Sequence, residues 1–218
     1  MIIKALNGNS GCKVLLCQNN ECGGKYVRKI SPSKEYNDRL YAQMLKQLNF
    51  NSYNFEVKTP EIISEGYIGE HFYFDMKYIQ GKLLSECIND LDHITILPYV
   101  KMTSDYLLGF QYENTRIEDA TLKIHKKLAV LSDIIDKKYA KQIKLVQDTN
   151  WSLTPISKCH GDFTLENLII SNGKLHLIDF LDSFLESPLV DIAKLLFDLR
   201  YFWSKRRTKT QSKSIIKN

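Results

Sequence analysis

A chain of 218 residues, 44% hydrophobic and 25% charged, has the make-up of a globular protein with one sizeable core or two small lobes sharing a cleft. No apolar run approaches bilayer-spanning length, and the start Met1-Ile2-Ile3-Lys4 is interrupted too soon for a signal peptide, so the expectation is a cytoplasmic protein without a membrane partner. The net charge of +5 excludes less than it promises: six of the 30 Lys and Arg lie between Lys205 and Asn218, and removing them leaves 24 basic against 25 acidic residues. A near-neutral body is a poor phosphate-tracking surface, which makes nucleic acid an unlikely partner, and residues 205–218 read as a solvated, disordered tail.

In chain order, Ile2–Leu6, Lys13–Cys17 and Lys25–Ile30 read as three strands. Turn-forming clusters at Asn7–Gly11 and Asn19–Gly24 join them into an antiparallel meander. Ser33 stands where a helix N-cap belongs, and Leu40, Met44 and Leu48 follow at helical spacing. Ile62-Ile63 and His71–Ile79 supply further strands, broken at Gln80-Gly81-Lys82. From Leu83 to about Leu145 apolar residues recur at three and four, predicting a helical block. Leu168–Ile170 and Leu175–Ile178 flank Asn172-Gly173, the strongest short hairpin signal, and a helix follows Pro188. The five cysteines predict reduced thiols: Cys12, Cys17 and Cys22 recur every five residues but lack the fourth ligand that structural zinc needs.

The segment His160-Gly161-Asp162-Phe163-Thr164-Leu165-Glu166-Asn167, followed by Ile178-Asp179-Phe180, carries the chemistry. The pattern HGD-x4-N arises by chance in roughly one chain in a thousand at average residue frequencies. Phosphoryl transfer asks for one carboxylate to orient or deprotonate a hydroxyl, and for hard oxygens to hold magnesium against a triphosphate. The hairpin returns the chain to its starting edge, so Asn167 and Asp179 can face one cleft with Asp162 on the loop before it.

These residues resemble the catalytic and metal-binding motifs of aminoglycoside phosphotransferases, choline kinases and related sugar kinases. The resemblance implies an α+β, two-lobed protein-kinase-like fold. Residues 1–80 would form a nucleotide-binding lobe, an antiparallel sheet with one helix, and residues 81–204 a mainly helical catalytic lobe carrying the hairpin. It implies a kinase using ATP and Mg2+, with Asp162 as base, Asn167 and Asp179 as magnesium ligands, and His160 bracing the loop. Gly8, Asn9, Ser10 and Gly11 would form the turn over the phosphates, Lys29 would reach them, and the stretch from Met76 through Tyr78 would hold adenine. Alternation alone does not separate Lys29 from Lys25, but the place just before the helix favours Lys29. Two features depart from the family. Gln43 stands where a helix glutamate would pair with the strand lysine, and only Ser187 to about Trp203, with Asp191 set to brace the loop, remains to build an acceptor site. The expected acceptor is therefore a small hydroxyl compound, a sugar or amino alcohol rather than an aminoglycoside. The alternative is a nucleotide-binding pseudokinase acting through a partner.

Overall fold

The computed structural model describes residues 1–6, 11–19, 23–50, 57–108 and 115–205. Its first lobe holds β1 (Ile2–Leu6), β2 (Lys13–Gln18), β3 (Lys25–Ile30), α1 (Asn37–Leu48), β4 (Val57–Lys58), β5 (Ile62–Ile68) and β6 (His71–Lys77). Five of these strands make one antiparallel sheet in the order β1-β2-β3-β6-β5, with the expected meander at its leading edge. Leu40 and Met44 of α1 bury against Phe72, Phe74 and Met76 of β6, closing a small core between helix and sheet. The helix start is pinned by Asn37, whose amide donates to Glu70 O at 2.8 Å and accepts from Phe72 N at 2.9 Å. Ser33 makes no side-chain cap; a short 3-10 turn (Lys34–Tyr36) enters the helix instead, and Ser31 Oγ donates to Ser33 O. The cap fails because a 3-10 turn, not α1 itself, follows Ser33.

The second lobe holds β7 (Lys82–Leu83), α2 (Leu84–Asp90), α3 (His93–Leu108), β8 (Arg116–Glu118), α4 (Thr121–Ser132), α5 (Ala140–Asp148), β9 (Thr154–Ile156), β10 (Leu168–Ser171), β11 (Lys174–Leu177) and α6 (Pro188–Tyr201). The helical block is interrupted by β8, which pairs with β9 and which sequence periodicity did not reveal. β10 and β11 form the predicted hairpin. Asn172 and Gly173 sit at φ 50° and 72°, the left-handed pair that a type I′ turn requires. The hairpin gains a strand on each side, β7 beside β10 and, in parallel, β4 beside β11. Chain from before the predicted lobe boundary thus completes the second lobe's sheet. Leu168, Leu175 and Leu177 on the hairpin pack with Leu84, Tyr106, Phe163 and Phe180 in the larger core. No described helix is long and apolar enough to cross a membrane. Cys12, Cys17, Cys87 and Cys159 are free thiols, and no group of three or more His, Cys, Asp or Glu among the described residues could hold a metal.

Candidate active site

A cavity of about 470 Å³ lies between the lobes, within the usual range of roughly 300–1,000 Å³ for small-ligand sites. Leu6, Val14, Val27 and Met76 wall it from the first sheet, Leu83 and Ile169 from the second, and Ile178 from just past the hairpin. Lys29, Asn167 and Asp179 supply polar groups at its lining, and Lys77-Tyr78-Ile79 borders it where the chain passes between lobes. Met76 and Tyr78, of the stretch expected to hold adenine, both line this cavity. Gly11 is exposed at φ 75°; Gly8, Asn9 and Ser10 lie outside the described residues.

Lys29 is buried, and its Nζ donates to Gln43 Oε1 at 3.2 Å and pairs with Asp179 Oδ1. The register separates the two lysines: Lys29 sits opposite Val14 and Phe74 in mid-sheet, whereas Lys25 is at the exposed strand end. Gln43 does take the place beside it, as a neutral acceptor whose own amide donates to Tyr36 Oη at 3.3 Å. The ionic partner comes from the other lobe. Asp179 holds φ 63°, a left-handed backbone uncommon outside glycine, though Asp tolerates it better than most residues.

The loop before the hairpin is held by buried groups. His160 is wholly buried, with Nε2 at 2.8 Å from Ile178 O and Nδ1 accepting from Asp162 N at 3.2 Å. Those partners fix the neutral tautomer with its proton on Nε2. Gly161 has φ 90°, and a Cβ there would run into the Leu181 carbonyl oxygen, so no other residue fits. Asp191 of α6, fully buried, accepts from His160 N at 2.6 Å and Gly161 N at 2.7 Å, which is the bracing position expected of it. One helical turn pair further on, Asp198 accepts from Leu165 N and Ser204 N, both at 2.7 Å. Between them Lys194 Nζ reaches Asp162 Oδ1 at 2.9 Å.

Residues 191, 194 and 198 share one face of a helix, and α6 runs that face along the loop from His160 to Leu165. The sequence reading found Asp191 but missed Lys194 and Asp198. The spacing of three and four between charged residues on an otherwise apolar helix was the available signal. Two more side chains tie α1 to the segment beyond Asp179: Arg39 Nε donates to Asp182 Oδ1 at 2.8 Å, and Lys46 Nζ donates to Leu181 O and Glu186 Oε1, both at 2.8 Å. Beside Lys46, burial pushes the Cys159 thiol up to about 12.

Asn167 donates through Nδ2 to Asp162 O at 2.8 Å and Asp162 Oδ2 at 3.1 Å. Its amide oxygen is thereby turned from Asp162, and Asn167 and Asp179 both line the cavity. An Asn oxygen and an Asp carboxylate suit magnesium, which binds few protein ligands and completes its shell with phosphate and water. Such an ion needs no larger acidic cluster, so the donor set fits it.

Burial lowers the His160 imidazole below its ordinary range. His176 moves the same way, through burial first and then Lys58 and Lys174. A base with a lowered folded pKa binds fewer protons than the unfolded chain, so its contribution is present above about pH 6.5 and lost as pH falls through that value. Asp191, pushed up chiefly by burial against the pull of His160 and two backbone amides, has the opposite sign. Its strain is relieved as pH falls through its raised folded value, so it partly offsets the histidines. Urea unfolding of a His176→Gln variant is expected to show stability falling between pH 7.5 and 5.5, with a slope approaching, at most, about 1.4 kcal/mol per pH unit for one proton. A flat profile would mean that His160 protonates without penalty.

The two lobes, joined by the lysine–aspartate pair across the cavity, make a mixed α/β chain whose hairpin carries the site. The family model described as the phosphotransferase enzyme family matches residues 111–216, which include the HGD-x4-N segment, the hairpin and α6. Among solved structures, the chain is similar to the kinase domain of Mycobacterium tuberculosis PknI at 16% identity and a TM-score of 0.44, over 82% of this chain and 57% of that one. A second structure of that domain gives 16% identity and a TM-score of 0.44 over 84% and 59%. The chain thus spans a little over half the length of those kinase domains. No curated protein sequence matches it.

Proposed function

We propose that the chain is an ATP- and magnesium-dependent kinase that phosphorylates a hydroxyl of a small metabolite. The observation that carries the reading is the meeting of Lys29, Asn167 and Asp179 at one cavity with Asp162 beside Asn167. Adenine would lie between the apolar walls against the Met76–Tyr78 stretch, and Lys29 would meet the phosphates. Asn167 and Asp179 would hold magnesium, which when bound neutralises charge on the phosphates. Asp162, with both carboxylate oxygens already oriented by Asn167 and Lys194, would accept the hydroxyl proton as the acceptor oxygen bonds to phosphorus and ADP departs. The Lys194 ammonium at Asp162 disfavours a polycationic aminoglycoside at that place and ranks an uncharged sugar above an amino alcohol.

Thermal unfolding with and without Mg·ATP tests the nucleotide site. At 100 times Kd a ligand of the folded state adds about 2.7 kcal/mol, which for a chain of this size is a rise of roughly 5–10 °C. Asp179→Asn, which keeps a residue tolerant of the left-handed backbone, is expected to lose most of that rise. No magnesium-dependent rise in the wild type would sink the reading. A rise without ATP consumption over a panel of sugars and amino alcohols would favour the partner-binding pseudokinase, for which the neutral Gln43 beside Lys29 is the one favourable observation.

A further inference from the structure

Resting on that phosphotransferase reading, we propose that Lys194 is a catalytic residue whose ammonium passes from Asp162 to the phosphoryl group in flight.

The first support is where α6 puts it. Asp191 and Asp198, three residues before and four after Lys194, are each locked to backbone N–H groups of the loop at 2.6–2.7 Å. The helix backbone at Lys194 is therefore fixed against the loop that carries Asp162. Its side chain is not: it is 43% exposed, against 5% for Lys29. A lysine ammonium on a flexible four-carbon stem exchanges partners readily.

The second support is distance. Lys194 Nζ stands 2.9 Å from Asp162 Oδ1. An acceptor oxygen must lie about 2.7 Å from that carboxylate to pass it a proton, and about 3–3.5 Å from phosphorus to react. The equatorial oxygens of the transferring group then fall within roughly 6 Å of the carboxylate, inside the sweep of the Lys194 stem. Lys29, in contrast, stands in the first lobe, where Gln43 of the same lobe and Asp179 of the other hold it. Two cations would thus flank the reacting phosphate from different lobes, one at the nucleotide end and one at the acceptor end.

The chemistry balances without further reagents. The acceptor O–P bond forms as the P–O bond to ADP breaks, the hydroxyl proton goes to Asp162, and Lys194 keeps its three protons and changes partner. As Asp162 gains that proton its hold on the ammonium weakens, while charge gathers on the phosphoryl oxygens. Preorganised positive charge at such a site stabilises the transition state more than the bound substrates.

Thermal unfolding with Mg·ADP, and with Mg·ADP plus aluminium fluoride as a mimic of the group in flight, needs no acceptor. Wild type, Lys194→Arg and Lys194→Met are compared, with aluminium fluoride lacking ADP as the control. All three are expected to gain equally from Mg·ADP. The further rise on adding aluminium fluoride should appear in wild type, persist in Lys194→Arg, and fall by more than about half in Lys194→Met. A full increment in Lys194→Met would overturn the proposal, as would a wild type that gains from Mg·ADP and nothing more. Lys194→Met losing the Mg·ADP rise as well would make the residue a structural brace and overturn it too. A wild type indifferent to Mg·ADP would remove the nucleotide reading itself, and the proposal with it.

Discussion

Asp191→Ala is expected to destabilise the protein by about 2–4 kcal/mol, lowering the melting temperature by roughly 5–15 °C. Two effects oppose each other at this site. The carboxylate is wholly buried, and burial alone raises its pKa, so deleting it relieves a desolvation cost. Deletion also strands the His160 and Gly161 N–H groups, which donate to it at 2.6 and 2.7 Å in a place without solvent. Each stranded buried donor costs about 1–3 kcal/mol, and charge-assisted bonds of this length are the strong kind. The stranded donors therefore win. Asp191→Asn separates the two effects: it removes the charge, keeps one acceptor, and turns an NH₂ toward the second N–H. Its expected cost is smaller than that of alanine, about 1–2 kcal/mol. Urea unfolding of the three proteins checks the order. Alanine no worse than asparagine would show that the buried charge, not its bonds, dominates.

The same residue shows what the sequence could and could not convey. Its bracing place was legible because it follows a motif at a recognisable distance. The first three strands, α1 and the β10–β11 hairpin were legible because alternation, helical spacing and Asn-Gly chemistry are written within each segment. β4, β7, β8 and β9 were not, since each has two or three residues and exists through its partner rather than its own pattern. Lys29 and Lys25 share a face of β3, so alternation could not choose between them. Position in the sheet did, burying Lys29 between β2 and β6 and leaving Lys25 in solvent. Lys194 and Asp198 were hidden for another reason. A charged residue on a helix reads as solvent-facing until the loop that needs its charge is seen lying along that face.

Gln43 leaves the strand lysine without a helix carboxylate, and a lysine that lacks a charge partner is held less firmly. Instead Lys29 is clamped between Gln43 and Asp179, a carboxylate from the other lobe. That pairing joins the lobes across the cavity, and Arg39–Asp182 and Lys46–Glu186 join them again through α1. The two outer pairs are partly exposed and individually weak. Their shared geometry still fixes α1 against the segment that follows Asp179.

Asp162→Asn is expected to lower turnover by 10²- to 10⁴-fold, the usual contribution of a positioned general base, while leaving the Mg·ATP stabilisation in place. The side chain is 28% exposed and bonded to Asn167 and Lys194, so the fold depends on it far less than on Asp191. In the variant one oxygen still accepts from Lys194, but the new NH₂ meets the Asn167 Nδ2 donor, a local clash of about 1 kcal/mol. What disappears is the carboxylate proposed to take the proton. ADP release over a panel of sugars, read beside the Mg·ATP melting shift, checks both halves. A large fall in turnover with the shift intact assigns Asp162 to the chemical step. A fall accompanied by loss of the shift would mean that the loop had moved and taken Asn167 with it. Turnover equal to that of the wild type would leave the proton to another acceptor, and the HGD aspartate would be a structural residue.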